Sequence, residues 1–431
     1  MDLSILILIV SFVLLLALGV PISFSIGIAT VLTMLFTIPP EPAITTVAQR
    51  MATGLDSFVL LAIPFFILSG QLMGRGGIAR RLIDFAKVMV GMLPGGLAFV
   101  NVLACMFFGA ISGSAVAATS AIGGFMIPLM NREGYDKNFN VAVTVTSSTT
   151  GLLIPPSNIL IVYSLASGGV SIAALFIAGY IPGILVGLSL MAVCAVVAKI
   201  RNYPVGERQN FIEGIKKLLI AIPSLMLVVI VIGGIIAGIF TATEASAVAV
   251  LYSLALSVAI YREVKVRELP QILLKTVETT AIVMLLIGTS TAMSWILSYE
   301  NIPQNISAAL ISLTGNKIII LLIINLILLI VGTFMDMTPA VLIFTPIFLP
   351  VVVQLGVTPL HFGIIMVLNL CIGLCTPPVG SVLFVGCGIG NTSVVKVVKP
   401  LLPMFIAMTA MLLIVTYFPE LSLFLPKLFG F

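Results

Sequence analysis

The 431-residue chain reads as an all-α polytopic membrane protein made of two inverted-topology repeats, each holding a re-entrant helical hairpin and a broken helix. Three observations lead there. Hydrophobic residues make up 60% of the chain and charged residues only 8%, too little charge to cover a water-facing surface. The apolar runs are about 17–25 residues long, enough for a bilayer-crossing helix, and lack the alternating pattern of an outer-membrane barrel. A helix-breaking motif also occurs twice, as GLLIPPSN at 151–158 and GLCTPPVG at 373–380, 222 positions apart (373 − 151).

The first run, Leu3 to Leu18, has neither a basic flank nor a small-residue cleavage site, so it is expected to be a retained span. Early interruptions follow at Gly19-Val20-Pro21 and, in the second half, at Gly238-Ile239-Phe240-Thr241. Residues 75–87, with Arg75, Arg80, Arg81 and Lys87, read as an amphipathic cytoplasmic connector. Segments dense in Gly, Ser, Thr and Pro predict hairpins at about 110–131 and 333–355, and broken helices follow at 151–158 and 373–380.

An ungapped comparison at that offset pairs Pro128 with Pro350, Gly134 with Gly356, Gly151 with Gly373, and Pro155-Pro156 with Pro377-Pro378. Gly and Pro dictate backbone shape, so these matches carry more weight than their number. The first repeat is placed at 1–205, a polar cytoplasmic linker at 206–216, and the second repeat at 217–431. Basic clusters around Lys199–Lys217 and Arg262–Lys275 mark cytoplasmic loops, and the net charge of +5 reports topology rather than a nucleic-acid partner.

A Pro-Pro pair removes N–H donors and displaces the preceding carbonyls, leaving backbone oxygens without helical partners. Inside a bilayer, such oxygens persist only where protein, water or an ion satisfies them. Together with hydroxyls they form hard ligands suited to a small alkali cation. The first such site is assigned to Ser112, Gly113, Ser114, Thr150, Gly151 and Pro155; the second to Met335, Asp336, Thr338, Gly373, Cys375 and Thr376. The competing reading of Ser112-Gly113-Ser114 is close helix packing, and that of Asp336 is a helix cap.

No Arg lies deep in an apolar run, so an anionic solute would rely on helix N-termini, hydroxyls and bound cations. Thr119, Ser120, Ser157, Asn158 and Thr345 are the candidate lining groups. Thr241 and Glu244 fit a capping box, His361 a structural role, Trp295 and Tyr299 interfacial anchors, and the five cysteines small buried hydrophobes. An intramembrane serine enzyme is disfavoured because His361 has no GxSxG-like partner, and an ATP-driven pump because no phosphate-binding loop occurs. The alternatives kept are an ion channel, or an ion-coupled carrier working without a binding protein.

GAISGSAVA (109–117) and GYDKNFNVAVTVTSSTTGLLIPPSN (134–158) resemble the large membrane subunit of TRAP transporters (tripartite ATP-independent periplasmic, DctM-like). So do GIFTATEASAVAVLYSLAL (238–256) and the whole of 332–380, and the similarity runs along essentially the full chain. The resemblance implies an inner-membrane secondary transporter of the elevator type, with a mobile transport domain near 79–198 and 300–416 moving against a scaffold. It further implies Na+ as the coupling ion at the hairpin and broken-helix pairs, and no organic cofactor. The implied partners are the lipid bilayer, a small four-helix membrane subunit on a separate chain, and a periplasmic solute-binding protein. That protein would deliver a small organic anion such as a C4-dicarboxylate or sialic acid.

Overall fold

The structure is a computed structural model that describes residues 3–206, 211–377 and 379–431. Long apolar runs punctuated by Gly and Pro leave the backbone one way to satisfy its polar groups away from water, and it takes the helix throughout. No strand forms among the described residues, which hold an isolated bridge between Pro94 and Val205.

The chain opens with α1 (Leu3–Ala17), α2 (Ile22–Thr37), α3 (Pro40–Leu55) and α4 (Ala62–Arg75), the last preceded by a 3-10 turn at Phe58–Leu61. Gly19, at φ +79°, and Pro21 make the first interruption. Helix α5 (Ile78–Val90) buries the stripe Ile78, Ala79, Leu82, Ile83 and Ala86, so it is amphipathic and overlaps the connector expected at 75–87. Then come α6 (Gly96–Ser112), α7 (Ala115–Arg132), α8 (Lys137–Thr150), α9 (Asn158–Ala166) and the long α10 (Ile172–Arg201).

The second half contains α11 (Phe211–Ile236), α12 (Ala242–Leu254), α13 (Leu269–Tyr299), α14 (Ile302–Leu313) and α15 (Lys317–Phe334). It ends with α16 (Met337–Gln354), α17 (Pro359–Gly373), α18 (Ser381–Ile389), α19 (Val394–Tyr417) and α20 (Glu420–Leu428). Three pairs of helices, α7 and α16, α8 and α17, α10 and α19, begin 222 positions apart (337 − 115, 359 − 137, 394 − 172). Among the described residues, eight helices are long and apolar enough to cross a membrane.

Helices α2, α3, α4, α12 and α13 pack on one another as one layer. Helices α6–α10 and α15–α19 form a second body, stitched across the halves where α9 meets α16, α8 meets α19 and α7 meets α18. Contacts of α4 with α6 and α9, and of α13 with α16, join the two bodies.

Two expected boundaries shift. The hairpins were placed at 110–131 and 333–355, but their turns fall at 113–114 and 335–336, so the first arms, α6 and α15, lie upstream of those windows. Each first arm is an unbroken apolar run that composition reads as a separate span, while the small residues that flagged the hairpin belong to the tip and second arm. Helix α11 begins at Phe211, inside the linker expected at 206–216, because the charges Glu213, Lys216 and Lys217 ride on helical turns. Residues 207–210 of that linker, and Pro378 of the second proline pair, lie outside the described residues.

Every residue of α8 from Phe139 to Thr150 is buried, although most of its last seven carry hydroxyls. All of these hydroxyls but that of Ser147 are satisfied within the helix: Thr144 donates to the Asn140 carbonyl at 2.8 Å, Ser148 to Thr144 at 2.6 Å and Thr150 to Ser147 at 2.6 Å, while Ser147 Oγ is buried without a partner. Side-chain amides then tie helices together. Asn101 Nδ2 donates to Thr144 Oγ1 at 2.6 Å, and Asn369 Nδ2 to Asn325 Oδ1 at 2.8 Å. The lone His361 is buried, its Nδ1 2.5 Å from Ser422 Oγ and its Nε2 3.3 Å from the Thr416 carbonyl, a structural placement. Thr241 and Glu244 form the capping box, and all five cysteines are buried and unpaired.

The seam between the halves yields a first prediction. Tyr163 donates to the Pro359 carbonyl at 2.6 Å, and a Cβ on Gly363 would sit 2.4 Å from its ring. Tyr163→Phe should cost about 1 kcal/mol, and Gly363→Ala about 1–3 kcal/mol through overpacking. Thermal unfolding of the purified protein checks this. Identical midpoints for wild type and Gly363→Ala would contradict the packing.

Candidate functional site

The first hairpin turns on Gly113, whose left-handed φ of +60° favours glycine, and Ser114 starts α7 by accepting from the Ala117 N–H at 3.3 Å. Across the tip, a Cβ on Gly113 would come 3.3 Å from Asn158 Nδ2, so the turn lies against the start of α9. Below the tip the backbones meet directly: a Cβ on Gly151 would stand 2.2 Å from Gly109 Cα. Only glycine at both positions lets α6 approach the end of α8 so closely.

The segment 151–157 between α8 and α9 is buried and non-helical. No backbone N–H among the described residues donates to the carbonyls of Gly151, Leu153, Ile154 or Pro155. Ser157 turns its hydroxyl back to the Leu152 carbonyl. The first break therefore presents a cluster of backbone oxygens beside the tip, a ligand set that suits a dehydrated alkali cation.

The second half repeats the pattern with different side chains. Met335 and Asp336 make the turn, and Asp336 occupies the cap position of α16 without a side-chain cap hydrogen bond. Its carboxylate is exposed to an internal cavity instead of closing the helix. A Cβ on Gly373 would lie 2.6 Å from Gly332 Cα, the counterpart of the Gly109–Gly151 contact. Thr376 donates to the Ile372 carbonyl at 2.7 Å, and Cys375 points its thiol towards the Val145 carbonyl at 3.4 Å. Cys375 thus has only its backbone to offer a ligand.

Both tips open on one cavity of about 690 Å³. Its inner wall includes the first residues of four helices: Ala115 of α7, Asn158 of α9, Met337 of α16 and Ser381 of α18. Each helix start carries a partial positive charge and free N–H groups, so the cavity concentrates four such ends around Asp336. Asn158 Oδ1 is buried there without a hydrogen-bond partner, and Ser381 Oγ lies beside the Asp336 carboxylate. Buried polar atoms left unpaired are uncommon and fit a wall built to meet a polar guest.

Of the sequence-predicted residues, Ser112, Gly113, Ser114, Ser120, Asn158, Asp336 and Thr338 reach this cavity. Thr150, Gly151, Pro155, Met335, Gly373, Cys375 and Thr376 form the turn and breaks behind it. Three expected solute contacts do not reach it. Thr119 faces α18, Thr345 donates to the Met366 sulfur at 3.3 Å between α16 and α17, and the Ser157 hydroxyl is used locally. Helical rotation decides this: Ser120 and Thr119 are neighbours in sequence but lie about 100° apart on α7.

The outer wall was missed by sequence reading. It comes from α4 (Ile67, Gly70, Gln71, Arg75) and α13 (Lys275, Thr279). A Cβ on Gly70 would touch the Ser112 carbonyl at 2.8 Å, so α4 backs the first tip. Ser381 was also missed, although it falls one place from position 380, which lies 222 beyond Asn158.

Interrupted helices that meet over a cavity carrying polar and charged groups, inside a body with many membrane-crossing helices, are the architecture of a membrane permease. Residues 9–421 match the family described as "Tripartite ATP-independent periplasmic transporter, DctM component", and the chain belongs to it. It is 58% identical over 420 residues to a Salmonella typhimurium relative named "Uncharacterized protein YgiK", covering 97% of this chain and 96% of that one. It is 41% identical over 406 residues to the "C4-dicarboxylate TRAP transporter large permease protein DctM" of Pseudomonas aeruginosa, covering 94% of each. Its fold is similar to that of the Alcanivorax borkumensis YdaH transporter, with a TM-score of 0.59 at 14% identity over 88% of each chain. The chain is a multi-pass inner-membrane permease component and not an enzyme.

Proposed function

We propose that the chain is the large membrane subunit of a sodium-coupled importer of a small organic anion, working by an elevator movement. A periplasmic binding protein would deliver the solute, and a small four-helix membrane subunit would complete the complex, in keeping with the tripartite family. C4-dicarboxylates and sialic acid are the solute classes to try first. The observation that carries this reading is the convergence of two hairpin tips, two helix breaks and four helix N-termini on the single cavity holding Asp336.

The two halves are read as inverted repeats. In support, Cys371 Sγ lies 3.3 Å from the Thr149 carbonyl, and these positions are themselves 222 apart (371 − 149), as residues astride an internal twofold axis would be. Na+ would sit at each tip and break, held at the first by Ser112, Gly113, Thr150, Gly151 and Pro155 oxygens, and at the second by Met335, Asp336, Gly373 and Thr376. Asp336 supplies a full negative charge, and the cations in turn supply the field that holds the anion, which couples the two solutes. The α6–α10 and α15–α19 body would be the moving part, and α1–α4 with α11–α13 the scaffold. Basic residues at the ends of α4 and α10 and in the loop before α13 support a cytoplasmic location for those ends.

The test is uptake of radiolabelled succinate and N-acetylneuraminate into vesicles bearing the complete complex with its binding protein. A sodium gradient should drive accumulation, and a potassium gradient of equal size should not. Equal uptake under both gradients would remove sodium from the mechanism.

A further inference from the structure

The outer wall of the cavity has a chemical gradient that the cation sites do not use. On α4, Ile67, Gln71 and Arg75 follow one another at intervals of four and share a face; on α13, Val283, Thr279 and Lys275 do the same in the opposite chain direction. All six line the cavity, and both series run from apolar through polar to cationic. Arg75 Nη1 donates to Gln271 Oε1 at 3.1 Å, which brings the guanidinium alongside α13 one turn from Lys275. Lys275 also pairs with Glu278 at 3.2 Å, on a neighbouring face of the same helix. Glu278 does not line the cavity, and the only carboxylate that does among the described residues is Asp336.

We propose that Arg75 and Lys275 form an anion-receiving station at the basic end of the cavity, which takes the carboxylate of the solute after it leaves the hairpin tips. The inference rests on the import reading above and adds to it a second stopping point on the helices that stay still. Four helix N-termini and bound cations hold the solute at the inner wall; release towards the basic end requires a competing attraction that is weaker and solvated. Two exposed cations at the far rim of one continuous cavity supply it, since charges that line a low-dielectric cleft focus their field along it. Gln71 and Thr279 lie between the two stations and offer hydrogen bonds along the way.

The experiment places one reporter thiol in the cavity, Thr279→Cys, in the full-length protein, whose native cysteines are all buried. Its rate of modification is compared for an anionic sulfonatoethyl and a cationic trimethylammonioethyl methanethiosulfonate reagent of similar size. The anionic reagent is expected to react faster by about tenfold at low ionic strength, with the preference falling towards parity in Arg75→Gln/Lys275→Gln. Succinate should slow the anionic reagent in the parent and not in the double variant. Arg75→Lys keeps the charge and should keep the preference, which separates charge from fold. A preference unchanged by removing both cations, or protection by succinate that survives their removal, overturns the station. Absence of sodium-driven uptake by the wild-type complex would instead overturn the import reading while leaving the reagent preference in place.

Discussion

Asp336→Asn should lower sodium-driven uptake by about a hundredfold while leaving the protein folded and its complex assembled. The substitution keeps the shape of the side chain and removes the only carboxylate among the described residues lining the cavity between the hairpin tips. Removing supporting groups around a metal typically costs 10–100-fold in affinity, and at the proposed sodium site the loss of a charged ligand belongs at the upper end. The loss should appear chiefly as a higher sodium concentration for half-maximal uptake, partly recovered in a steep gradient. Because Asp336 makes no side-chain cap hydrogen bond, stability should change little. Wild-type sodium dependence in Asp336→Asn would exclude the residue from the coupling machinery.

Gly151→Ala is expected to destabilise the protein by about 3 kcal/mol, the upper range for overpacking a core. Its methyl group would fall 2.2 Å from Gly109 Cα and 2.6 Å from the Gly109 carbonyl carbon. Those are backbone atoms with no rotamer to yield, so α6 and the end of α8 would have to part and the oxygens around the first break would spread. Gly373→Ala meets Gly332 in the same way, at 2.6 Å from its Cα. Gly124→Ala is the control: nothing lies within 4 Å of its Cβ, and a helical alanine should be neutral or stabilising by up to about 1 kcal/mol. Unfolding midpoints of the three purified variants test this. If Gly151→Ala melts with Gly124→Ala, the backbone contact does not exist as described.

The hairpin side of the cavity was partly legible in the chain. Ser112-Gly113-Ser114 stood out because small polar residues are rare in apolar runs, and Asp336 because an acid at membrane depth demands a reason. The outer wall was not legible, since Arg75 and Lys275 look like ordinary topology markers until α4 and α13 are seen side by side. Nor could spacing separate Ser120 from Thr119, or Asn158 from Ser157, because within each pair the helix turn or the break rotates one side chain inward and its neighbour away.

Local chemistry alone determined where this chain is helical, where it breaks and that its breaks recur 222 positions apart, for hydropathy, proline and glycine act over a few residues. Only the packed structure decided which breaks face each other, where α6 and α15 turn, and which hydroxyls remain unspent. Those outcomes depend on contacts between residues far apart in sequence, such as Gly109 with Gly151, Cys371 with Thr149 and Arg75 with Gln271. Nothing in the order of residues marks such pairs before the helices meet.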